Sequence, residues 1–99
     1  LSTGQRQLVG ITRLMLAKPK LIMLDEPTSA MDRLLEQQLL ATIFKEHRDA
    51  TIIMVTHKIN HLEFVERAAV VDQGQMVMDG PKDEVLKRLT GNTAKESNA

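Results

Sequence analysis

Two adjacent carboxylates, Asp25 and Glu26, directly follow a run of four apolar residues at positions 21–24. Because this run is apolar throughout and lies between two prolines, it predicts a short strand buried on both faces, as in a parallel sheet. Ligands of such sheets bind at the carboxyl ends of the strands. A carboxylate there can hold Mg²⁺, and a second one beside it can orient or deprotonate an attacking water. The pair suggests phosphoryl-transfer chemistry, and the competing interpretation is a solvated turn.

A histidine follows the second apolar segment of the chain. Residues 51–56 are rich in β-branched side chains and predict another buried strand, after which comes His57. Since the two strands should be neighbours, we expect His57 near the carboxylate pair, where an imidazole can touch a γ-phosphate or the attacking water. Taken alone, a histidine after a strand is more often structural. His47 and His61 lack such a setting, and we expect them at a helix end or on the surface.

The start of the chain provides a candidate anion site. Ser2 and Gln5 fit the capping box of a helix N-terminus, where unpaired N–H groups point outward and the helix dipole favours negative charge. Gly4 would allow the backbone to approach a phosphate closely. A helix cap without a ligand is the competing interpretation.

Two helices are predicted to position these side chains. Leu8, Ile11 and Met15 recur at helical spacing and predict a first helix with one buried face, which ends at Lys18-Pro19. A second amphipathic helix is predicted over residues 33–47. Because the order is strand, helix, strand, a right-handed parallel crossover is expected.

The later part of the chain predicts a hairpin and a helix. Segments 68–72 and 75–79 flank Gln73-Gly74, which is a hairpin signal, and a short helix is predicted around residues 60–66. Pro81 suits the first position of a last helix and Gly91 its C-terminal stop. The polar residues 92–99 are expected to be a disordered tail. The predicted fold class is α/β, with parallel strands and a C-terminal β-hairpin and helix.

Composition excludes several classes of protein. The 99 residues include 13 Lys and Arg against 13 Asp and Glu, so zero net charge removes the main argument for a nucleic-acid partner. The absence of cysteine excludes a disulfide framework, a thiolate zinc site and a cysteine nucleophile. No apolar run approaches the roughly 20 residues that a membrane-spanning helix needs.

In this order, the motifs closely resemble the nucleotide-binding domain of ABC transporters, specifically its C-terminal part. Residues 2–5 look like the signature loop of that family, residues 29–32 like its D-loop and His57 like its switch histidine. Asp25 and Glu26 match its Walker B aspartate and catalytic glutamate. The resemblance runs from residue 1 to about residue 90. It implies that residues 1–91 form the C-terminal part of a P-loop NTPase core of the RecA-like, ABC ATPase type.

The resemblance also implies a composite site for ATP and Mg²⁺. In this family two ATP-binding domains close head to tail over two ATP molecules, which implies a homodimer. Asp25 would hold the metal, Glu26 would polarise the water and His57 would contact the γ-phosphate of one ATP.

Four further residues would serve the opposite side of that interface. The signature residues Ser2, Gly4 and Gln5 would contact the second ATP, and Asp32 would help to couple the two sites. Thr3 stands where the family usually has glycine, so this contact is expected to survive in a weaker form.

The chain departs from the family in one larger respect. A P-loop needs Gly-Lys followed by Ser or Thr, and the five glycines of this sequence are followed by Gln, Ile, Gln, Pro and Asn. Because the chain also starts at Leu1 and not at Met, we expect it to be a piece of a longer ATPase and to be inactive by itself.

Residues 29–32 and 80–86 are similar to bacterial type I secretion exporters. That resemblance implies a membrane-domain partner and a place at the cytoplasmic face of the inner membrane, with ATP hydrolysis powering protein or peptide export. Two alternatives stay open. One is a catalytically incomplete interaction module, and the other is a part of a soluble ABC ATPase without a transport function.

Overall fold

The computed structural model describes residues 2–98, with side chains up to Gly91. The chain divides into two compact units, Leu1–His57 and Lys58–Ala99, and each is described by itself. Ala99, the last residue of the predicted tail, lies outside the described residues.

The first unit alternates helices and strands. Its elements are α1 (Thr3–Ala17), β1 (Leu21–Asp25), α2 (Arg33–Glu46) and β2 (Thr51–Val55). β1 and β2 pair in parallel, with Leu21 opposite Thr51 and Asp25 opposite Val55. The predicted parallel pairing is confirmed, and both strands therefore end at the same edge of the sheet.

Helix α1 begins and ends with local signals. The Ser2 hydroxyl accepts from the Gln5 N–H at 3.1 Å and the Gln5 side-chain oxygen accepts from the Ser2 N–H at 2.9 Å, which confirms the capping box. At the other end, Lys18 adopts a left-handed conformation with φ of 48° before Pro19. This stop is the one that the Lys18-Pro19 pair predicts.

The core of this unit lies on one face of the two-stranded sheet. Ile11 of α1, Ile22 and Leu24 of β1 and Ile43 of α2 are buried together. Burying a side chain of this size contributes about 1.5–3 kcal/mol, so this cluster fixes both helices against the sheet. Leu8 was expected on the buried face of α1, and that expectation is wrong, because the buried stripe passes through positions 4, 7, 11 and 15 and leaves Leu8 exposed.

The prediction that the strands are buried on both faces is also wrong. Successive side chains of a strand point to opposite faces, and in the described residues the core covers only one of them. Met23 is 73% exposed, and the same outer face carries three more exposed apolar side chains, those of Leu21, Ile53 and Val55.

The second unit contains a short 3₁₀ helix (Ile59–Phe64), the strands β3 (Arg67–Asp72) and β4 (Gln75–Pro81), and helix α3 (Lys82–Asn98). β3 and β4 pair antiparallel with a register shift between Val70 and Val71. Gln73 and Gly74 both have positive φ, 51° and 76°. This is the geometry of a type I′ hairpin turn, so the predicted hairpin is confirmed.

Helix α3 extends further than its sequence signals predict. The helix runs to Asn98 and passes Gly91, which lacks the positive φ of a glycine that ends a helix. Residues 92–98 of the expected disordered tail therefore have helical backbone. Among the described residues, no helix is both long and apolar enough to cross a membrane.

The two remaining histidines are buried. His47 ends α2, as expected, but it is buried and not on the surface. Its backbone N–H donates to the Ile43 carbonyl, and its carbonyl accepts from the Ala50 N–H where the chain turns back. His61 is buried within the 3₁₀ helix, so its expected surface position is wrong.

Candidate functional site

The site begins with a direct contact between Glu26 and His57. Nδ1 of His57 is in hydrogen-bonding and ion-pair contact with Oε1 of Glu26. The contact exists because β1 and β2 pair in parallel and in register, so that Glu26 and His57 emerge at the same edge. Both side chains are open to solvent, with 40% and 73% exposed respectively. The structure thus places His57 beside Glu26, as the sequence predicts, and both side chains are accessible from solvent.

The backbone of Glu26 is held in an unusual conformation. Its N–H donates to the Val55 carbonyl at 2.8 Å and so extends the parallel ladder by one residue. Its φ is then 42°, in the left-handed region that a non-glycine residue rarely adopts. Such a conformation costs about 1–3 kcal/mol and persists only where surrounding contacts impose it. Those contacts are therefore part of the site.

Asp25 ends β1 beside this pair and is exposed. Its carboxylate is the hard oxygen ligand that Mg²⁺ prefers, and this ion is commonly held by one or two carboxylates together with phosphates and waters. The part of the chain that the structure describes contains no group of three or more His, Cys, Asp or Glu arranged to hold a metal by itself. The Asp25 carboxylate is thus chemically suited to be one ligand of a Mg²⁺ ion that also binds a phosphate.

The start of α1 offers donors to an anion. In the capping box, the Ser2 hydroxyl uses a lone pair toward Gln5 and keeps its O–H proton for another acceptor. Thr3 and Gly4 are the first two residues of α1, so within the described residues their N–H groups have no acceptor one helical turn earlier. These groups and the helix dipole can bind a negatively charged oxygen.

Gly4 lies against the backbone of the loop that follows β1, where a larger residue would be crowded. A Cβ at this position would lie 3.1 Å from the carbonyl oxygen of Ala30. The start of α1 is therefore in close backbone contact with the loop that follows β1. We expected Gly4 to give close approach to a phosphate, and the structure places a protein carbonyl beside it.

Gln7 connects α1 to this loop through its side-chain amide, although its residue type gave no reason to expect it. Its side-chain oxygen accepts from the Ala30 N–H at 3.1 Å. Its side-chain nitrogen donates to the Ser29 hydroxyl at 3.0 Å and to the Glu26 carbonyl at 3.4 Å. A signal was available, because Gly4, Gln7 and Ile11 share one face of a helix at spacings of three and four.

The other end of the loop is attached to α2. Asp32 caps the helix by accepting from the Leu35 N–H at 2.9 Å. The Thr28 hydroxyl donates to the buried carboxylate of Glu36, also at 2.9 Å. The structure therefore brings together Glu26 and His57, joins the start of α1 to the loop of residues 26–31, and gives Asp32 a capping role.

Comparison with known proteins identifies relatives of this chain. A family model described as ABC transporter matches residues 1–29. The glutathione/L-cysteine transport system ATP-binding/permease protein of Haemophilus influenzae is 31% identical over 92% of this chain, which corresponds to 16% of the relative. The methionine import ATP-binding protein of Caulobacter vibrioides is 38% identical over 96% of this chain and 30% of the relative.

An export protein is similar to the same degree. The microcin-J25 export ATP-binding/permease protein of Escherichia coli is 40% identical over 80% of this chain and 14% of the relative. The chain thus spans between 14% and 30% of the length of these relatives. Their names include both import and export, so the similarity does not distinguish the direction of transport.

Proposed function

Since this chain belongs to the ABC transporter family of ATP-binding proteins, we propose that it is part of a motor domain that hydrolyses ATP to power transport. The observation that supports this most strongly is the Glu26–His57 contact at the carboxyl ends of paired parallel strands. Ligands of α/β sheets bind at that edge. The pair also combines a carboxylate with an imidazole, two groups that enzymes use for proton transfer.

Within this proposal each side chain at the edge has one task. Glu26 orients and polarises the attacking water. His57, when doubly protonated, donates to Glu26 through Nδ1–H and to a γ-phosphate oxygen through Nε2–H. Asp25 supplies an oxygen ligand to Mg²⁺, which when bound neutralises charge on the phosphates.

The start of α1 is proposed to bind the ATP held by a second copy of the domain. The Ser2 hydroxyl and the N–H groups of Thr3 and Gly4 supply donors, and the side-chain nitrogen of Gln5 supplies another. The working unit is then a head-to-tail homodimer with two composite sites. Asp32, whose carboxylate caps α2, is proposed to couple these sites across the interface.

The full protein is proposed to act with a membrane domain at the cytoplasmic face of the bacterial inner membrane, as an exporter of proteins or peptides of the type I secretion class. The similarity of residues 29–32 and 80–86 to such exporters supports this. ATP-dependent accumulation of a labelled peptide in inside-out membrane vesicles is expected for an exporter. Accumulation in right-side-out vesicles alone would contradict the proposal.

We further propose that the 99-residue chain alone neither binds ATP tightly nor hydrolyses it. None of its five glycines is followed by lysine, and a P-loop with that pair supplies most contacts to the phosphates. Measurable Mg²⁺-dependent turnover by the purified chain would contradict this.

The test of the motor function uses a full-length protein that carries this segment together with a P-loop. Glu26→Gln is expected to lower ATP hydrolysis by about 10²–10⁴-fold while ATP binding is kept, because an amide of the same size replaces the carboxylate that polarises the water. The matched control is Glu46→Gln, an exposed position at the end of α2 with expected wild-type turnover. ATP binding without hydrolysis by the wild type would favour the alternative of an interaction module.

A further inference from the structure

We propose that Gln7 is a positioning residue that holds the loop of residues 26–31 in the conformation that aims Glu26 at His57. The proposal rests on the motor function proposed above, since Glu26 acts there on the water. Gln7 itself touches neither ATP nor water in this scheme. It acts through the backbone of the loop.

The hydrogen bonds of Gln7 are spread over the whole loop. Its amide group contacts the carbonyl of Glu26, the hydroxyl of Ser29 and the N–H of Ala30 at 3.4, 3.0 and 3.1 Å. A single side chain thus binds the first residue of the loop and two residues near its far end. An amide can do this because it carries donors and an acceptor at one tip.

The hydrogen bond from the Gln7 side chain to the Glu26 carbonyl lies at the residue whose backbone is strained. Glu26 has φ of 42°, and the same carbonyl accepts from the Ser29 N–H at 3.3 Å. A left-handed non-glycine residue needs such external contacts to persist. The orientation of this peptide sets the direction in which the Glu26 side chain leaves the backbone, and hence its contact with His57.

Close packing at Gly4 supports the same connection independently. A Cβ there would meet the Ala30 oxygen at 3.1 Å, so α1 and the loop lie against each other one helical turn before Gln7. Together, these contacts join the start of α1, which is proposed to bind one ATP, to the carboxylate proposed to act on the other. A shift of α1 when an anion binds at its N-terminus would therefore be transmitted through Gln7 to Glu26.

The first test measures amide hydrogen exchange in the loop of the 99-residue chain and needs no ATPase activity. Gln7→Leu keeps a side chain of similar size and removes the amide. Losing one hydrogen bond is expected to speed hydrogen exchange of the Ala30 amide about fivefold. The Thr51 amide, which donates to the Lys20 carbonyl at 2.9 Å, is the internal reference and should not change. Unchanged exchange at Ala30 would overturn the proposal.

A second variant distinguishes the acceptor oxygen of the Gln7 amide from its donor nitrogen. Gln7→Glu keeps an oxygen that can accept from the Ala30 N–H and removes the donor to the Glu26 carbonyl. We expect Ala30 exchange close to wild type. The imidazole nitrogen signals of His57 should nevertheless shift, as in Gln7→Leu, because Glu26 moves. His57 signals identical to wild type in both variants would contradict a role in aiming Glu26.

The third measurement is made in the full-length ATPase. Gln7→Leu is expected to lower kcat about tenfold and to change the KM for ATP less than twofold, because only the placement of the reacting groups is lost. Gln38→Ala, at an exposed glutamine of α2, is the matched control. A higher KM with unchanged kcat would overturn the proposal. An inactive wild type would instead refute the motor function, and Ala30 exchange and the His57 signals would still decide whether Gln7 positions the loop.

Discussion

The Thr28 hydroxyl donates to the carboxylate of Glu36 at 2.9 Å, and both residues are only 1% exposed. A buried carboxylate is stable only when other groups satisfy it. This bond joins the loop after β1 to the first turn of α2, whereas Gln7 joins the same loop to α1 through Glu26, Ser29 and Ala30. The segment that carries Glu26 is therefore fixed from both helices.

Thr28→Val should destabilise the chain, because it keeps the shape of the side chain and removes a donor to a buried carboxylate. We expect the free energy of unfolding to fall by about 1.5–3 kcal/mol, measured by urea denaturation. The matched control is Thr12→Val, whose exposed hydroxyl bonds to the Leu8 carbonyl of its own helix, with an expected change within about 0.5 kcal/mol. Equal effects of the two variants would show that the Thr28 bond contributes nothing specific.

Gly4→Ala and Gly10→Ala should differ in their effect on the stability of the chain, although both glycines lie in α1. A Cβ at Gly10 meets no neighbouring atom of the described residues within 4 Å, so alanine there should stabilise the helix by about 0.5–1 kcal/mol. A Cβ at Gly4 meets the Ala30 oxygen at 3.1 Å, and the gain should be cancelled or reversed. Thermal unfolding of the two variants measures the difference. The same stabilisation at both positions would mean that the contact with Ala30 does not constrain Gly4.

The outer face of the β1–β2 sheet should make the 99-residue chain self-associate at high concentration. Met23 and Val55 are 73% and 58% exposed on this face, and an uncovered apolar sheet face favours association. Met23→Ser should lower the fraction of dimers and larger species in sedimentation. Val71→Ser, at an exposed apolar residue of β3, is the control and should have a smaller effect. A wild-type chain that stays monomeric would contradict the prediction.

Local signals allowed much of this structure to be predicted from the sequence. The capping box of Ser2 and Gln5 needs only neighbouring residues, and the Gln73-Gly74 turn needs only two positive φ angles. The contact between Glu26 and His57 follows from parallel pairing, because the ends of paired parallel strands meet at one edge.

The contacts that hold the loop could not be predicted, because they depend on how separate elements pack. Glutamine is a residue type that is common on the exposed face of a helix. Only the spacing of Gln7 from the buried Ile11 indicates that it lies on the inward face. The burial of Glu36 beside Thr28 contradicts the usual place of a carboxylate. Gly91 could end a helix, but nothing in its own residue type decides whether the helix stops there.

The central claim is that Glu26 and His57 act as one catalytic unit, and a double-mutant cycle of ATP turnover tests it most directly. In the full-length ATPase, Glu26→Gln and His57→Ala should each lower kcat by about 10²-fold or more. If the two side chains act through their contact, the double variant should be no more than about threefold slower than the slower single variant. Losses that multiply in the double variant would show that the two residues act independently and would contradict this account.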